Sequence, residues 1–509
     1  MGVLRKLASQ TAIYGLSSIV GRVAAFALTP IYTNRMEPGE YGIFNDLYAF
    51  TTYFLVILTF GMETAFFRFS DSDKSDEKPY TQSFLFVSGF ALLFLVASLL
   101  GYNGFASLLG YESRPNLVLL MLAITFLDVI TSIPMAKLRF DERPVAFAAV
   151  SLVSIAFNIG LNLFFILGLG YSSAESVFLA NLLASVFKIV VLLFVASPLP
   201  GKFNPAWGAK MEGVRLLPRE WKVDGDMMRS MAGFGFYIML AGLFGMINQN
   251  SDVNFVQRLW GSEPQPYGGG LYNGAEIAGI FSANKKLAVM ILLVTQAFRY
   301  AAEPFFFRHA QENQSRSAFA KVFHYFMLAS LVVFLLVSSF APEMVAIEIA
   351  GFQLVDDAYW MGLEVVPLML FSFVLWGAYT NLAIWYKLTK QVRFGLLFSA
   401  LGVVTVMVCN FALIPTYAYM GATWAMVISY AVMCVLVYIS GQKYYPIPYR
   451  MDRMLMYGVV FVGAYFVNAA LMDMSVGGQF WGKMLVCLVT IGGVAGFEKL
   501  APIKWEQAA

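Results

Sequence analysis

Apolar residues run along this chain in long continuous blocks, and polar residues gather in the short stretches between them. The blocks fall at 11–33, 43–67, 81–101, 116–137, 145–169, 173–196, 230–256, 276–301, 318–341, 358–386, 394–415, 420–441, 454–472 and 480–499. A helix rises about 1.5 Å per residue, so about 20 apolar residues cover a hydrocarbon layer of about 30 Å. Each block therefore reads as one transmembrane helix. Barrel strands would alternate in units of about ten residues, and these runs do not alternate. The expected fold class is all-α, a polytopic membrane protein with about fourteen transmembrane helices.

The basic residues test that count. With the N-terminus in the cytoplasm, 25 loop-proximal Lys and Arg fall on the cytoplasmic side and only Arg35, Arg114 and Arg258 on the other. Lys and Arg accumulate in cytoplasmic loops, so this asymmetry supports both the count and the orientation. A helix miscounted before the middle would scramble it. Both termini are expected in the cytoplasm, in a bacterial inner membrane. The start, MGVLRKLASQ, is too polar and too soon followed by a full span for a cleaved leader. The first helix is expected to serve as an uncleaved membrane signal.

Composition agrees. Apolar residues make up 59% of 509 positions and charged residues 13%, against about 25% charged in a soluble domain. The net charge of +3 gives no electrostatic footprint for nucleic acid. Cys409, Cys434 and Cys487 all lie in apolar runs, so no disulfide framework is implied. With only His309 and His324, no histidine metal site is expected. No paired-carboxylate or nucleophile motif appears, and no loop is long enough for a catalytic domain, so an enzyme is not expected.

The longest loop, 197–229, holds six basic residues together with Trp207, Leu216, Leu217 and Trp221. Two readings stand: a partly interfacial linker or a floppy basic tether. Gly268–Gly270 lies in an outer loop and does not open a helix after a strand, which argues against a phosphate-binding loop. The halves echo each other in order. TNRM (Thr33–Met36) precedes Gly42-Ile43-Phe44, and VQRL (Val256–Leu259) precedes Gly279-Ile280-Phe281. AFFRF (Ala65–Phe69) corresponds to PFFFRH (Pro304–His309), and AKLRF (Ala136–Phe140) to YKLTK (Tyr386–Lys390). Repeats six helices apart share orientation, as two lobes about an axis along the membrane normal. The expected organisation is an N-lobe at 1–196, a basic linker at 197–229, a C-lobe at 230–441 and two further helices with a tail at 442–509.

MEPGEYG (Met36–Gly42) resembles the "L-x-P-x-EYG" hallmark of the polysaccharide biosynthesis, Wzx-type, flippases. GMETAFFRF (Gly61–Phe69) is similar to that family's "GxExAxxRF", and AKLRFDERP (Ala136–Pro144) to its segment after helix four. TQAFRYAAEPFFF (Thr295–Phe307) and the run Val365–Lys390 carry the likeness into the second half. The family belongs to the multidrug/oligosaccharidyl-lipid/polysaccharide exporter superfamily. The resemblance implies two six-helix lobes, alternating access and transfer of undecaprenyl-pyrophosphate-linked oligosaccharide to the periplasmic leaflet. The implied partners are that lipid-linked oligosaccharide, membrane lipids, a polysaccharide polymerase and other glycan-assembly proteins. It also implies a working monomer; no cofactor is expected, and Na⁺, H⁺ or the membrane potential is expected to drive transport.

Charged side chains inside a span cost about 2.5–3.5 kcal/mol on insertion scales and usually face a cavity or a partner. Arg22 sits mid-way along helix one, on one face with Ser18, Phe26 and Thr29. Lys285 and Lys286 lie within helix eight. These suit a cationic chamber for a pyrophosphate, Arg by bidentate contact and Lys as a point charge. A second reading pairs Arg22 with Asp128 inside one lobe. Arg299 is either a mouth residue or the helical partner of Glu303. Glu63 and Arg68 are candidates for an inner gate. Asn248 and Asp252 lead a polar patch on helix seven that closes an outer gate, binds sugar hydroxyls, holds a coupling cation at Asp252, or simply lies in the headgroup layer. Competing functions are a cation-coupled drug antiporter, a peptidoglycan lipid-precursor flippase and, in another class, a non-transporting scaffold.

Overall fold

The computed structural model describes residues 20–21, 23–24, 26–70, 77–196, 216–218, 220–309, 315–389, 391, 393–471 and 476–503, with the backbone alone at 196, 297, 299–309, 315 and 476–478. Twelve helices among them are long and apolar enough to cross a membrane. One, Arg393–Tyr444, has 52 residues and is two spans. Straight, it would reach about 78 Å. Instead the backbone turns at Ala418, which has φ 46° and ψ −130° and follows Pro415 by three residues. Ser429 Oγ donates to Gly402 O at 2.9 Å across that turn, a contact that a straight helix forbids. The expected blocks 394–415 and 420–441 are thus a helical hairpin. The expected first span is described only in part, from Thr29 to Arg35 as a regular helix.

Prolines open helices where they cost least. Pro30, Pro38, Pro79, Pro115 and Pro144 each occupy one of the first two positions of a helix, where the missing N–H would have had no intrahelical partner anyway. The chain divides into two compact units, Met1–Ser251 and Asp252–Ala509, and the boundary falls within the helix Gly225–Trp260.

In the first unit, Leu47 of Pro38–Thr59, Leu117, Val118, Met121 and Leu122 of Pro115–Phe140, and Phe178 of Ala174–Ala196 form one core cluster. The second helix breaks at Phe60 and Gly61, both left-handed, before resuming as Met62–Phe69. Space explains the glycine as well as conformation. A Cβ on Gly61 would lie 2.6 Å from the Gly235 carbonyl oxygen, and one on Gly235 would lie 2.4 Å from that of Phe60. Two backbones touch here because neither residue has a side chain.

In the second unit, Val365–Leu382 is apolar all round and forms the hub. It packs against Gly274–His309, Ser315–Val345 and Arg393–Tyr444. The last two helices, Met451–Ala470 and Val476–Leu500, dock on Ser315–Val345 through polar contacts. Lys483 Nζ meets Glu343 Oε1 at 2.7 Å, and Asn468 Nδ2 donates to Ser339 Oγ at 2.7 Å. At the other end the Glu498 carboxylate accepts from Tyr457, from Arg453 at 3.3 Å and from His324 at 3.2 Å. Polar contacts between spans fix register, because slipping would strand each group in an apolar layer.

We expect Gly61→Ala and Gly235→Ala each to cost about 2–3 kcal/mol through overpacking, read as a lowered melting temperature in detergent. Gly245 has open space beyond its Cβ position. Gly245→Ala is therefore the control, neutral or slightly stabilising by helix propensity. Equal tolerance at all three positions would contradict the close approach.

Candidate functional site: an ion pair buried in the second unit

Helix Gly225–Trp260 ends and helix Gly274–His309 begins in close contact. Gly274 N donates to Gly261 O at 2.7 Å, and a Cβ on Gly274 would meet the Gln257 carbonyl oxygen at 2.0 Å. The second helix starts on a capping box: Asn273 Oδ1 accepts from Ala275 N and Glu276 N, while Glu276 Oε2 accepts from Asn273 N. Between the helices, a two-stranded hairpin pairs Gln265–Tyr267 with Gly270–Tyr272. Its Tyr267 ring packs edge-on against Trp260 and Tyr419, and its hydroxyl donates to Glu364 at 3.2 Å. Burial, then the Glu364 charge, pushes the Tyr267 phenol up to about 12. It stays protonated and keeps donating.

This junction sets the register below it. Asp252 lies eight residues before Trp260 and Lys285 eleven after Gly274, so both sit roughly 12–17 Å down their helices. Lys285 Nζ meets Asp252 Oδ2 at 2.6 Å, and the Asp252 side chain is 1% exposed. Asn284, fully buried, donates to Tyr359 O at 2.7 Å and so ties the same helix to the 3₁₀ segment Asp357–Glu364. Lys286, half-buried, has no ion pair or hydrogen bond among the described residues. Phe255 packs edge-on against Phe411, which brings the helix of Asn410 alongside. The Asn410 amide and the hydroxyls of Tyr430 and Ser282 are buried without hydrogen-bond partners among the described residues. Such groups belong with water or ligand atoms, since leaving them dry is costly. The interior of this unit is thus polar where the sequence reads as a span.

The other expected residues are placed as follows. Arg22 lies outside the described residues, as do the side chains of Arg299 and Glu303. Asp128 has Lys188 Nζ at 3.4 Å, a partner from within its own unit. Glu63 pairs with Arg139 at 2.7 Å, and the Arg68 guanidinium lies 4.1 Å above the Phe234 ring, both within the first unit. Of the polar patch, Asn248, Ser251, Asp252 and Asn254 are all buried. The unit boundary falls after Ser251, and within the second unit Asp252 meets Lys285.

Three features escaped the sequence reading. Asp46 is fully buried and accepts from the Tyr111 hydroxyl at 2.7 Å. Glu40, within the motif Met36–Gly42, accepts from Arg114 at 2.6 Å and from Ala174 N at 2.9 Å, joining three segments. The hydrogen bond to Glu40 raises the Arg114 guanidinium further above its usual range. Lys483 and Glu498 tie the last two helices in place. A bare inventory of charges inside spans would have flagged Asp46, Lys483 and Glu498; Glu40 needed the fold.

Helical spans on this scale, with paired charges in their interior, define a multi-pass membrane protein. Residues 7–310 match the family described as polysaccharide biosynthesis protein, and the chain belongs to that family. No curated protein matches the sequence significantly. Among solved structures, an inward-facing multidrug resistance MATE family transporter of the MOP superfamily aligns with a TM-score of 0.64 at 12% identity, covering 88% of this chain and 96% of that one. The lipid II flippase MurJ, in an inward closed conformation, aligns with a TM-score of 0.64 at 12% identity, covering 95% and 98%. A MOP superfamily transporter from Pyrococcus furiosus, for which a reversed polarity of the binding pocket is said to suggest a different function, aligns at 0.54 and 13%, covering 85% and 95%. These likenesses establish the MOP superfamily fold.

Breaking the buried pair from one side leaves a charge uncompensated, at about 3–5 kcal/mol. We expect Asp252→Asn or Lys285→Met alone to lower the melting temperature clearly, and the double variant to lose less than the two losses added. A double variant whose loss equals that sum would show the two charges to be independent.

Proposed function

We propose that this protein is a flippase that moves undecaprenyl-pyrophosphate-linked oligosaccharide from the cytoplasmic to the periplasmic leaflet of a bacterial inner membrane. The family match over residues 7–310 carries this reading. The site adds chemistry to it. Lys285 and Lys286 are adjacent cations inside a span, one already neutralised by Asp252 and one without a carboxylate among the described residues. A pyrophosphate suits such a place: Lys contributes attraction as a point charge, and the membrane interior strengthens it. Positive residues there repel a cationic drug, which weighs against a drug antiporter on the same fold.

On this reading the headgroup enters from the cytoplasmic side, the polyprenyl tail stays in lipid and alternating access carries the sugar across. Arg22 and Arg299 are expected to assist Lys286 in holding phosphate oxygens. Asp252, released when Lys285 turns to the phosphate, takes up the coupling H⁺ or Na⁺. Glu63 and Arg68 act at the cytoplasmic gate. The protein transports without chemistry on its cargo, needs no cofactor, works as a monomer and hands its cargo to a polymerase.

The test is reconstitution in vesicles with a fluorescent oligosaccharide on undecaprenyl pyrophosphate. We expect protein-dependent transfer between leaflets, slowed about tenfold or more by Lys286→Gln, as for one lost charge-assisted contact of about 1.5–3 kcal/mol. Parallel arms carry a fluorescent peptidoglycan lipid precursor and a cationic dye. Transfer of either one alone, with the oligosaccharide lipid left in place, overturns the assignment.

A further inference from the structure

The segment Leu216–Asp224 leads into helix Gly225–Trp260 and is fastened to the first unit by its own backbone. The Tyr80 hydroxyl donates to Leu216 O. Gln82 Nε2 donates to Lys222 O at 2.9 Å, and Gln82 Oε1 accepts from Asp224 N at 3.0 Å. Asp224 Oδ1 in turn accepts from Met227 N at 3.1 Å, capping the helix that follows. Leu216 is buried in a core cluster with Met135, Leu138 and Val150. This is a docked strap with one face turned into the protein.

Away from that contact the strap is open, and the exposed Glu220 and Lys222 alternate with large apolar side chains. Leu217 is 52% exposed, Trp221 61% and Val223 62%. Three large apolar side chains open within seven residues do not suit an aqueous tether. Their depth is fixed by what they touch. Gln82 lies four residues and Phe84 six residues into helix Lys78–Leu109, about 6–9 Å from its start. The Trp221 ring meets the Phe84 ring edge-on at 5.9 Å between centroids. Further along the same helix Leu92, Leu93, Val96, Leu99 and Leu100 are exposed, as lipid-facing residues of a span are. The strap's apolar side chains therefore continue that surface at the level where headgroups meet acyl chains, the layer in which Trp is enriched.

We propose that Leu217, Trp221 and Val223 form an interfacial anchor that inserts into the headgroup–acyl boundary of the leaflet on the side of the basic loops. The occupant is the lipid interface itself. Amphipathic segments of this kind sit about 5–10 Å into that boundary. The anchor ties the start of helix Gly225–Trp260 to the membrane surface, and it operates whatever cargo the protein carries.

Spin labels test it. In protein lacking Cys409, Cys434 and Cys487, single cysteines replace Leu217, Glu220, Trp221, Lys222 and Val223 in turn, in nanodiscs of phosphatidylethanolamine and phosphatidylglycerol. Collision with lipid-soluble oxygen is compared with collision with a water-soluble nickel chelate. We expect the oxygen-to-nickel ratio at 217, 221 and 223 to exceed that at 220 and 222 by about threefold or more. Brominated phospholipid gives a second reading with the native tryptophan: it should quench the wild type more than Trp221→Phe. Equal nickel access at all five positions, or no access to either reagent at 217, 221 and 223, overturns the anchor, as does identical quenching of the two proteins.

Discussion

A charge inside a bilayer must find a partner within the protein, and in the second unit that demand organises the region below the Gly261–Gly274 junction. Lys285 and Asp252 come from helices whose ends converge at Gly261 and Gly274, and their 2.6 Å contact fixes how far each helix is turned. With Lys285 facing Asp252, its neighbour Asn284 reaches the Tyr359 carbonyl, and the 3₁₀ segment that leads into the hub helix is held. Lys286, about 100° further round, cannot share the same carboxylate. One buried pair thus sets the register of two helices and the entry to a third, and among the described residues it leaves Lys286 without a carboxylate. The same rule recurs where the final two helices dock, through Lys483 with Glu343 and Glu498 with its three donors.

Much of the fold was legible because a bilayer imposes a simple rule on sequence. Among the described residues, length and hydropathy locate the spans, and the 52-residue helix reads as two, since Pro415 and the polar turn around Tyr417 interrupt it. Pairing was less legible. Hydropathy marks a charge as out of place, but which partner answers it depends on helix rotation and neighbours far off in the chain. Asp128 shows this: it has Lys188, 60 residues on, while Arg22, its expected partner on one reading, lies outside the described residues. The polar patch on helix Gly225–Trp260 was visible as composition, while its burial was not. Gly61 and Gly235 likewise look ordinary until two backbones are seen to touch there.

The family and the fold answer different questions. The match over residues 7–310 assigns the chain to polysaccharide biosynthesis proteins, whereas a MATE transporter and MurJ share its fold at 12% identity. One architecture serves several cargoes, so the cargo must be argued from side chains. In the proposed mechanism the decisive ones are Lys285, already held by Asp252, and Lys286, not so held among the described residues. Asp252 is then both the partner of Lys285 and the rival of a phosphate for it.

That competition gives the most direct measurement. The affinity of purified protein for undecaprenyl pyrophosphate should be compared between wild type and Asp252→Asn in the same detergent. If Asp252 occupies the lysine that the pyrophosphate needs, the variant binds more tightly by about tenfold, the equivalent of about 1.4 kcal/mol. Unchanged or weaker binding would contradict the account, because Lys285 would then serve the helix junction and not the cargo.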